Sequence, residues 1–197
     1  MNEAAADQPS FEIRRVAIIG AGVAGRSFAL ACAGAGFHVV LEDVMPANLR
    51  KAEADYAECA DLSQRAGRLE LALTVEDAVR EADVAVDFVP DELESKLEIF
   101  SMIDRMAPPK TILCTPSYAL SITDLASCVY RPERCVAVRG NLIRGGAAVP
   151  PVVRLLYPAA AAESTLTAVD KFLQALGVEV RRETDPEVPL LMRNAVV

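Results

Sequence analysis

The sequence is poor in histidine and in positive charge. Its 197 residues include one histidine, His38, and 20 lysines and arginines against 28 aspartates and glutamates, which gives a net charge of −8. Because a nucleic-acid binder needs a basic surface, nucleic acid is not an expected partner. A lone histidine without a cysteine cluster also argues against a zinc site. We expect His38 to be structural and the protein to hold no metal.

Paired cysteines and long apolar runs are absent as well. The five cysteines are scattered and form no C-x-x-C pair, which is typical of reduced thiols in a cytoplasmic protein. No apolar run reaches the roughly 18 residues that span a bilayer. The first residues have neither the basic flank nor the apolar core of a signal peptide. We therefore expect a cytoplasmic location, no membrane partner and a disordered tail over residues 1–12.

Strand-like and helix-like patterns alternate along the rest of the chain. With 52% hydrophobic residues, they predict an α/β fold of the Rossmann type over residues 13–186: a doubly wound, mainly parallel sheet with helices on both faces. The expected strands cover residues 14–19, 38–42, 68–73, 84–89, 111–114, 135–138, 152–157 and 178–181. The expected helices cover residues 23–35, 46–64, 91–106 and 163–176, with short helices capped by Thr74 and Ser121. Residues 187–197 are expected to begin a further helical segment.

A Gly-x-Gly-x-x-Gly turn follows the first strand and opens the first helix. Gly20 allows a tight turn, Gly22 lets the backbone approach a pyrophosphate, and Gly25 lets the helix pack closely on the strand. The start of the helix offers N–H groups to the phosphates. The intervening residues of this predicted phosphate-binding turn are Ala21, Val23 and Ala24.

An acidic residue ends the next apolar run. Asp43 stands roughly 20 residues beyond the glycines, the spacing at which a carboxylate accepts hydrogen bonds from both ribose hydroxyls of a dinucleotide. The same charge repels a 2′-phosphate. The glycine motif alone is weak evidence, but strand, turn, helix, second strand and acid together predict an NAD site.

A resemblance to a known family rests on two further segments. Residues 82–96, ADVAVDFVPDELESK, are similar to the strand-four signature of the 3-hydroxyacyl-CoA dehydrogenase family, which ends in Val-Pro-Glu and continues through Leu-Glu-x-Lys. Residues 120–126 and 131–134 are similar to the segment before that family's catalytic histidine. The chain thus resembles the family's NAD-binding domain from about residue 14 to residue 194.

The resemblance implies four further cofactor-binding residues, Val89, Pro90, Asp91 and Lys96, of which Asp91 and Lys96 line the nicotinamide side of a bound NAD. It also makes Lys96 a candidate for the chemistry. Another interpretation of Lys96 stays open, in which it is a solvated helix residue paired with Glu92 at i, i+4.

The family's catalytic residues are not retained. Arg139 stands where the family has its general-base histidine, and arginine stays protonated near neutral pH. The family's orienting glutamate falls between residues 151 and 157, where no residue is acidic. Its catalytic serine aligns with Tyr118. Its asparagine aligns with Arg193, although Asn194 is the next residue.

These replacements suggest a cationic substrate site, because arginine pairs bind carboxylate or phosphate bidentately. The predicted catalytic residues are Tyr118, as proton donor to a carbonyl, and Lys96. Alternatively, the arginines are solvated surface residues around an inactive site. Likewise the loop at residues 144–148 either borders a ligand or faces solvent. The predicted substrate-binding residues are Arg139, Asn141, Arg144 and Arg154.

Two functions remain in competition. The first is an NAD-dependent oxidoreductase acting on an anionic or carrier-bound hydroxyacyl or oxoacyl substrate, such as an acyl thioester. The second is a catalytically inactive NAD-binding partner or sensor. A fold that binds no nucleotide is disfavoured because the glycines and Asp43 are intact.

The family continues beyond this point into a helical domain that closes over the acyl-CoA. Either that domain is missing here, or another chain provides it, or the sequence is part of a larger protein. Apolar residues 188–192 would lack cover without such a domain, and apolar surface of this kind usually finds a partner. We therefore expect a homodimer.

Overall fold

The structure is a computed structural model that describes residues 11–59, 67–143 and 149–185. Strands and helices alternate along these residues, as the sequence pattern predicts. The strands are β1 (Arg15–Ile19), β2 (His38–Glu42), β3 (Arg68–Ala72), β4 (Val84–Asp87), β5 (Ile112–Pro116), β6 (Cys135–Arg139), β7 (Val152–Tyr157) and β8 (Glu179–Thr184). The α-helices are α1 (Val23–Gly34), α2 (Pro46–Glu58), α3 (Val75–Val79), α4 (Leu93–Met106), α5 (Ile122–Ala126) and α6 (Glu163–Ala175).

The strands form one sheet in the order β3-β2-β1-β4-β5-β6-β7-β8. Val16 of β1 lies beside Val39 of β2 on one side and Val84 of β4 on the other. The described strand pairs are parallel except β6 with β7, which run antiparallel. The chain winds outward from β1 to β3 and then returns to place β4 next to β1. Such a reversal leaves a crevice at the carboxyl ends of the strands, where ligands bind.

Helices cover both faces of the sheet and divide the core into two clusters. Val16 and Ile18 of β1 pack in the cluster that contains residues of α1, α2 and α6. Ala17 and Ile19 pack in the cluster that contains residues of α3, α4 and α5. Because successive strand residues point to opposite faces, β1 is apolar throughout. The predicted doubly wound α/β fold is confirmed.

The short helices begin where the sequence predicts. The side-chain oxygen of Thr74 accepts a hydrogen bond from the backbone N–H of Asp77, and that of Ser121 from the N–H of Asp124. Each hydroxyl satisfies one N–H group that has no partner inside its helix.

Some predicted boundaries shift. Strand β4 ends at Asp87 rather than at residue 89, and the N–H of Phe88 donates to the carbonyl of Ile19 at 2.7 Å before the chain turns away. Strand β8 continues to Thr184. Helix α2 extends to Glu58, and its predicted end at residue 64 lies outside the described residues.

The predicted tail over residues 1–12 is too long. Phe11 packs against the core, and the guanidinium of Arg134 lies 5.8 Å from the centre of its ring. Residues 1–10 lie outside the described part of the chain, and so does the predicted helical segment at 187–197. None of the described helices is long and apolar enough to cross a membrane.

Candidate functional site

The glycine turn forms at the crevice between β1 and β4. Gly20 has a φ of 100°, which favours glycine, and its N–H donates to the carbonyl of Glu42 at 2.8 Å. A Cβ at Gly25 would lie 1.9 Å from the carbonyl oxygen of Gly20. Only glycine therefore allows α1 to approach the turn this closely.

Gly22, unlike Gly25, faces open space. A Cβ at this position would meet nothing within 4 Å, and α1 begins here without a side-chain cap. The unpaired N–H groups and positive dipole of a helix start favour an anion in such a space. The surroundings of Gly22 fit a diphosphate.

Asp43 lies behind this turn and is 8% exposed. Its carboxylate accepts hydrogen bonds from the N–H groups of Ala21 and Met45, both at 2.7 Å, and from the Asn48 amide at 3.1 Å. A carboxylate offers about four acceptor positions, so one remains for a ribose hydroxyl. Accepting bonds from both hydroxyls, as the sequence predicts, would require displacement of Asn48.

Two cavities meet above the sheet. The outer cavity, of about 630 Å³, extends from Gly20 and Asp43 to the start of α3. The inner cavity, of about 310 Å³, extends towards Tyr118 and Asn141. Phe88 and Val89 line both. The two cavities are therefore neighbours near the carboxyl ends of the central strands, and we refer to them together as the cleft.

The outer cavity contains an acid that sequence reasoning missed. Glu42, at the end of β2, lines the cavity and is 3% exposed. Burial, and then the charge of neighbouring Asp43, raises the pKa of Glu42 to about 7. A glutamate directly before Asp43 at the end of an apolar strand was the sequence signal for it.

The outer cavity is acidic among its described lining residues. Glu42, Asp43 and Glu98 contribute to it, and no lysine or arginine does. Phosphate binding ordinarily uses such cations. The cavity thus suits an unphosphorylated ribose.

Three polar residues meet in the inner cavity. Asp91 accepts a hydrogen bond from the backbone N–H of Tyr118 at 2.9 Å. The side-chain oxygen of Asn141 accepts one from the N–H of Ile143 at 3.1 Å, which leaves its NH₂ group as a donor. The side chain of Tyr118 is 80% exposed at the cavity wall. Gly140 and apolar residues complete the described lining: Ala24, Phe28, Phe88, Val89, Pro116, Leu142 and Ile143.

The remaining predicted cofactor residues lie near the same cleft, but not all of them line it. Ala21 is buried behind the glycine turn, and Pro90 lines the outer cavity. Val23 begins α1 with an exposed side chain and lines neither cavity.

Lys96 differs from both interpretations of the sequence. It is 1% exposed, and its Nζ lies 2.8 Å from Oδ1 of Asp87 and 3.4 Å from the carbonyl oxygen of Val89. Burial raises the pKa of Asp87, and the ammonium of Lys96 opposes that rise. Lys96 is neither paired with Glu92 through its side chain nor part of either cavity lining. It supports the turn after β4 from below.

Arg139 and Arg154 also lie elsewhere than predicted. They face each other across β6 and β7, and neither lines the inner cavity. Arg139 donates to the carbonyl of Leu120 at 3.0 Å, while Arg154 binds the carboxylate of Glu183 at 2.7 and 2.5 Å. Arg154 also lowers the pKa of Glu183. The predicted convergence of arginines in the cleft is wrong for these two, and Arg144 lies outside the described residues.

Residues 15–180 match the family model described as 3-hydroxyacyl-CoA dehydrogenase, NAD binding domain. The chain belongs to the 3-hydroxyacyl-CoA dehydrogenase family. The match confirms the resemblance carried by the glycine turn and residues 82–96, and it supports NAD as the cofactor of this cleft.

Curated relatives resemble the chain over most of its length. A probable 3-hydroxybutyryl-CoA dehydrogenase of Bacillus subtilis is 29% identical over 178 residues, which are 84% of this chain and 61% of the relative. The 5-formyl-3-hydroxy-2-methylpyridine 4-carboxylate 5-dehydrogenase of Mesorhizobium japonicum is 26% identical over 197 residues, which are 94% of this chain and 62% of the relative. The chain therefore spans about three fifths of the length of these relatives.

Solved structures show the same fold. The (S)-3-hydroxybutyryl-CoA dehydrogenase of Ralstonia eutropha superimposes with a TM-score of 0.78 at 24% identity, covering 89% of this chain and 65% of that chain. A 3-hydroxyacyl-CoA dehydrogenase of Archaeoglobus fulgidus gives 0.73 at 27% identity, covering 92% and 60%.

Proposed function

We propose that the chain is an NAD-dependent oxidoreductase that moves a hydride between NAD and a hydroxyacyl or oxoacyl substrate. The observation that carries this proposal is that the two cavities are neighbours and share two lining residues. The outer cavity fits the adenosine half of NAD, and it shares Phe88 and Val89 with the lining of the inner cavity. A nicotinamide there would lie beside Tyr118 and Asn141.

The inner cavity supports a proton relay without histidine. NAD, when bound, supplies or accepts the hydride. In the reducing direction the carbonyl carbon gains the hydride, and the carbonyl oxygen takes the proton of the Tyr118 hydroxyl. The NH₂ group of Asn141 donates a hydrogen bond to the same oxygen, which stabilises the charge that develops on it. Because Tyr118 is exposed, its phenolate regains a proton from water.

The lining of the inner cavity favours a thioester over a free acid. Its described residues are mostly apolar and include no lysine or arginine, whereas a buried carboxylate requires a charged or hydrogen-bonding partner. The relatives' names include both kinds of substrate. The Bacillus subtilis relative is named for 3-hydroxybutyryl-CoA, and the Mesorhizobium japonicum relative for a pyridine carboxylate.

The test is the oxidation of NADH with acetoacetyl-CoA and with acetoacetate, followed by absorbance on folded protein. The proposal expects turnover with acetoacetyl-CoA and a rate at least about tenfold lower with acetoacetate. Faster turnover with acetoacetate would instead establish the anionic substrate that the sequence predicts. If NADH binds but neither substrate is turned over, the proposal that the chain is an oxidoreductase is contradicted.

The alternative is an inactive NAD-binding partner or sensor, and one observation favours it. Arg139 replaces the family's general base, and its side chain is bonded to the carbonyl of Leu120 rather than directed into the cavity. This alternative expects NADH to bind with no oxidation by any acyl substrate.

We also propose a homodimer with a cytoplasmic location. The apolar residues 188–192 on which the dimer rests lie outside the described residues. Light scattering at micromolar concentration tests it, and a monomer would contradict the proposal.

A further inference from the structure

Glu42 is a buried acid inside the outer cavity that the proposed reaction does not use. It is 3% exposed, and it lies between Ile19 of β1 and Ala72 of β3 in the sheet register. Among the described residues, no hydrogen bond to its carboxyl group stabilises the ionised form. A buried carboxyl without a partner favours its neutral form, because burial penalises the charge.

The charged groups around Glu42 act in the same direction. Asp43 adjoins it on β2, and Glu98 of α4 lines the same cavity. From α3, Asp77 is bonded to Thr74 and to Arg80. No lysine or arginine contributes to the described lining of the cavity.

On β3, two residues before Ala72, Glu70 pairs with Arg68. The Arg68 side chain therefore has an acidic partner near the other end of β2.

A proton on Glu42 removes one of the three negative charges that the cavity lining would otherwise present to an anionic ligand.

We propose that Glu42 holds a proton when the dinucleotide binds and donates a hydrogen bond to its adenosine moiety. A neutral carboxyl group presents a donor and an acceptor side by side, as an amide does when it binds adenine. The dinucleotide brings negative charge and excludes water, and both effects favour the protonated form of Glu42. NAD therefore binds together with a proton whenever Glu42 is ionised in the free protein.

This linkage has a measurable consequence. Because the pKa of Glu42 in the free protein is about 7, the affinity for NADH falls above neutral pH. One linked proton weakens binding by up to about tenfold per pH unit. The inference rests on the NAD site and not on the substrate reaction.

Calorimetric titration with NADH alone tests the inference. Titrations in two buffers of different ionisation enthalpy at about pH 8 count the protons taken up. We expect uptake approaching one proton per NADH, and a dissociation constant that rises from about pH 7 to about pH 9. Glu42→Gln, which keeps a donor and an acceptor, should bind with little uptake and little dependence on pH.

Glu94→Gln is the matched control, since it neutralises an exposed acid of α4 that does not line the cavity and should retain the uptake of the unchanged protein. Absence of uptake by the unchanged protein would overturn the inference even if no variant folded. Equal uptake by Glu42→Gln would also overturn it. Absence of NADH binding would overturn both this inference and the cofactor assignment, whereas failed turnover with normal uptake would affect only the proposed reaction.

Discussion

The two ends of the cleft differ in what determines their residues. At the outer end, backbone geometry decides: Gly20 needs a positive φ, and Gly25 has a carbonyl 1.9 Å from any added Cβ. At the inner end, the directions of long side chains decide. Arg139 and Arg154 emerge opposite each other and then turn to Leu120 and Glu183.

The difference explains why residues at the outer end are easier to predict from the sequence than residues at the inner end. A backbone constraint has few chemical solutions, so the glycines are readable as a motif. A side-chain site can exchange one donor or acceptor for another. Tyr118 and Asn141 meet in the inner cavity, and in our proposal they do the work of the family's histidine.

The largest loss of stability is expected on replacement of Lys96, which is buried outside both cavities. Lys96→Met leaves the Asp87 carboxyl buried without its partner, and loss of one member of a buried pair costs about 3–5 kcal/mol. Urea unfolding measures the change. Lys110→Met is the control. Lys110 is half exposed, and its partner Asp83 also accepts N–H bonds from Arg14 and Arg15. An equal loss for both variants would contradict the structural role of Lys96.

Two glycine variants separate folding from binding. Gly25→Ala forces α1 away from Gly20, so we expect lower stability as well as loss of NADH binding. Gly22→Ala meets no protein atom within 4 Å and should unfold normally. Its Cβ would occupy the space that we assign to the diphosphate. We therefore expect NADH binding to weaken by about a hundredfold, or about 2.7 kcal/mol. Thermal unfolding and NADH titration check both. Unchanged affinity in Gly22→Ala would place the diphosphate elsewhere.

Glu42 makes the stability of the protein depend on pH, and this dependence can be measured without ligand. Its pKa is about 7 in the folded chain, against an ordinary value of 4.5. Between these values the unfolded chain releases the proton while the native chain retains it. The stability of the unchanged protein relative to Glu42→Gln therefore falls by up to about 1.4 kcal/mol per pH unit as pH rises. Urea unfolding of both proteins at several pH values measures this, and parallel pH profiles would contradict it.

Tyr118→Phe tests the inner end. Removing the proton donor should lower turnover with acetoacetyl-CoA by about tenfold or more and leave NADH affinity unchanged. Tyr130→Phe, another exposed tyrosine that lines neither cavity, is the control. If Tyr118→Phe turns over at the original rate, Tyr118 takes no part in the reaction.

The smallest effect is expected for Arg154→Gln. Since Arg154 is half exposed and paired with Glu183, its replacement should change stability by less than about 1 kcal/mol. Turnover should change by less than about twofold. Steady-state kinetics check this. A large rise in KM would indicate that Arg154 contacts the substrate, as the sequence predicts.

Sequence reasoning predicted the fold and the cofactor well for a physical reason. Apolar strands, caps and glycines act through neighbouring residues, so the order of elements and the places of Gly20 and Asp43 follow from short segments. Lys96, Arg139 and Arg154 depend on partners far along the chain. Arg154, for instance, meets Glu183 only because β7 pairs with β8.

Glu42 illustrates the same limit. Its position at the end of an apolar strand was readable, but its burial depends on β1, β3 and α3 closing around it. Only the assembled sheet shows that Glu42 lines the cavity and is almost fully buried there.

The most direct test of the account is the binding of NADH compared with NADPH, measured by calorimetry on the same protein. The outer cavity, with Asp43 and no lysine or arginine among its described lining residues, predicts one NADH per chain. It also predicts NADPH at least about tenfold weaker, because the 2′-phosphate meets negative charge. Equal affinities, or tighter binding of NADPH, would contradict the assignment of this cleft to NAD.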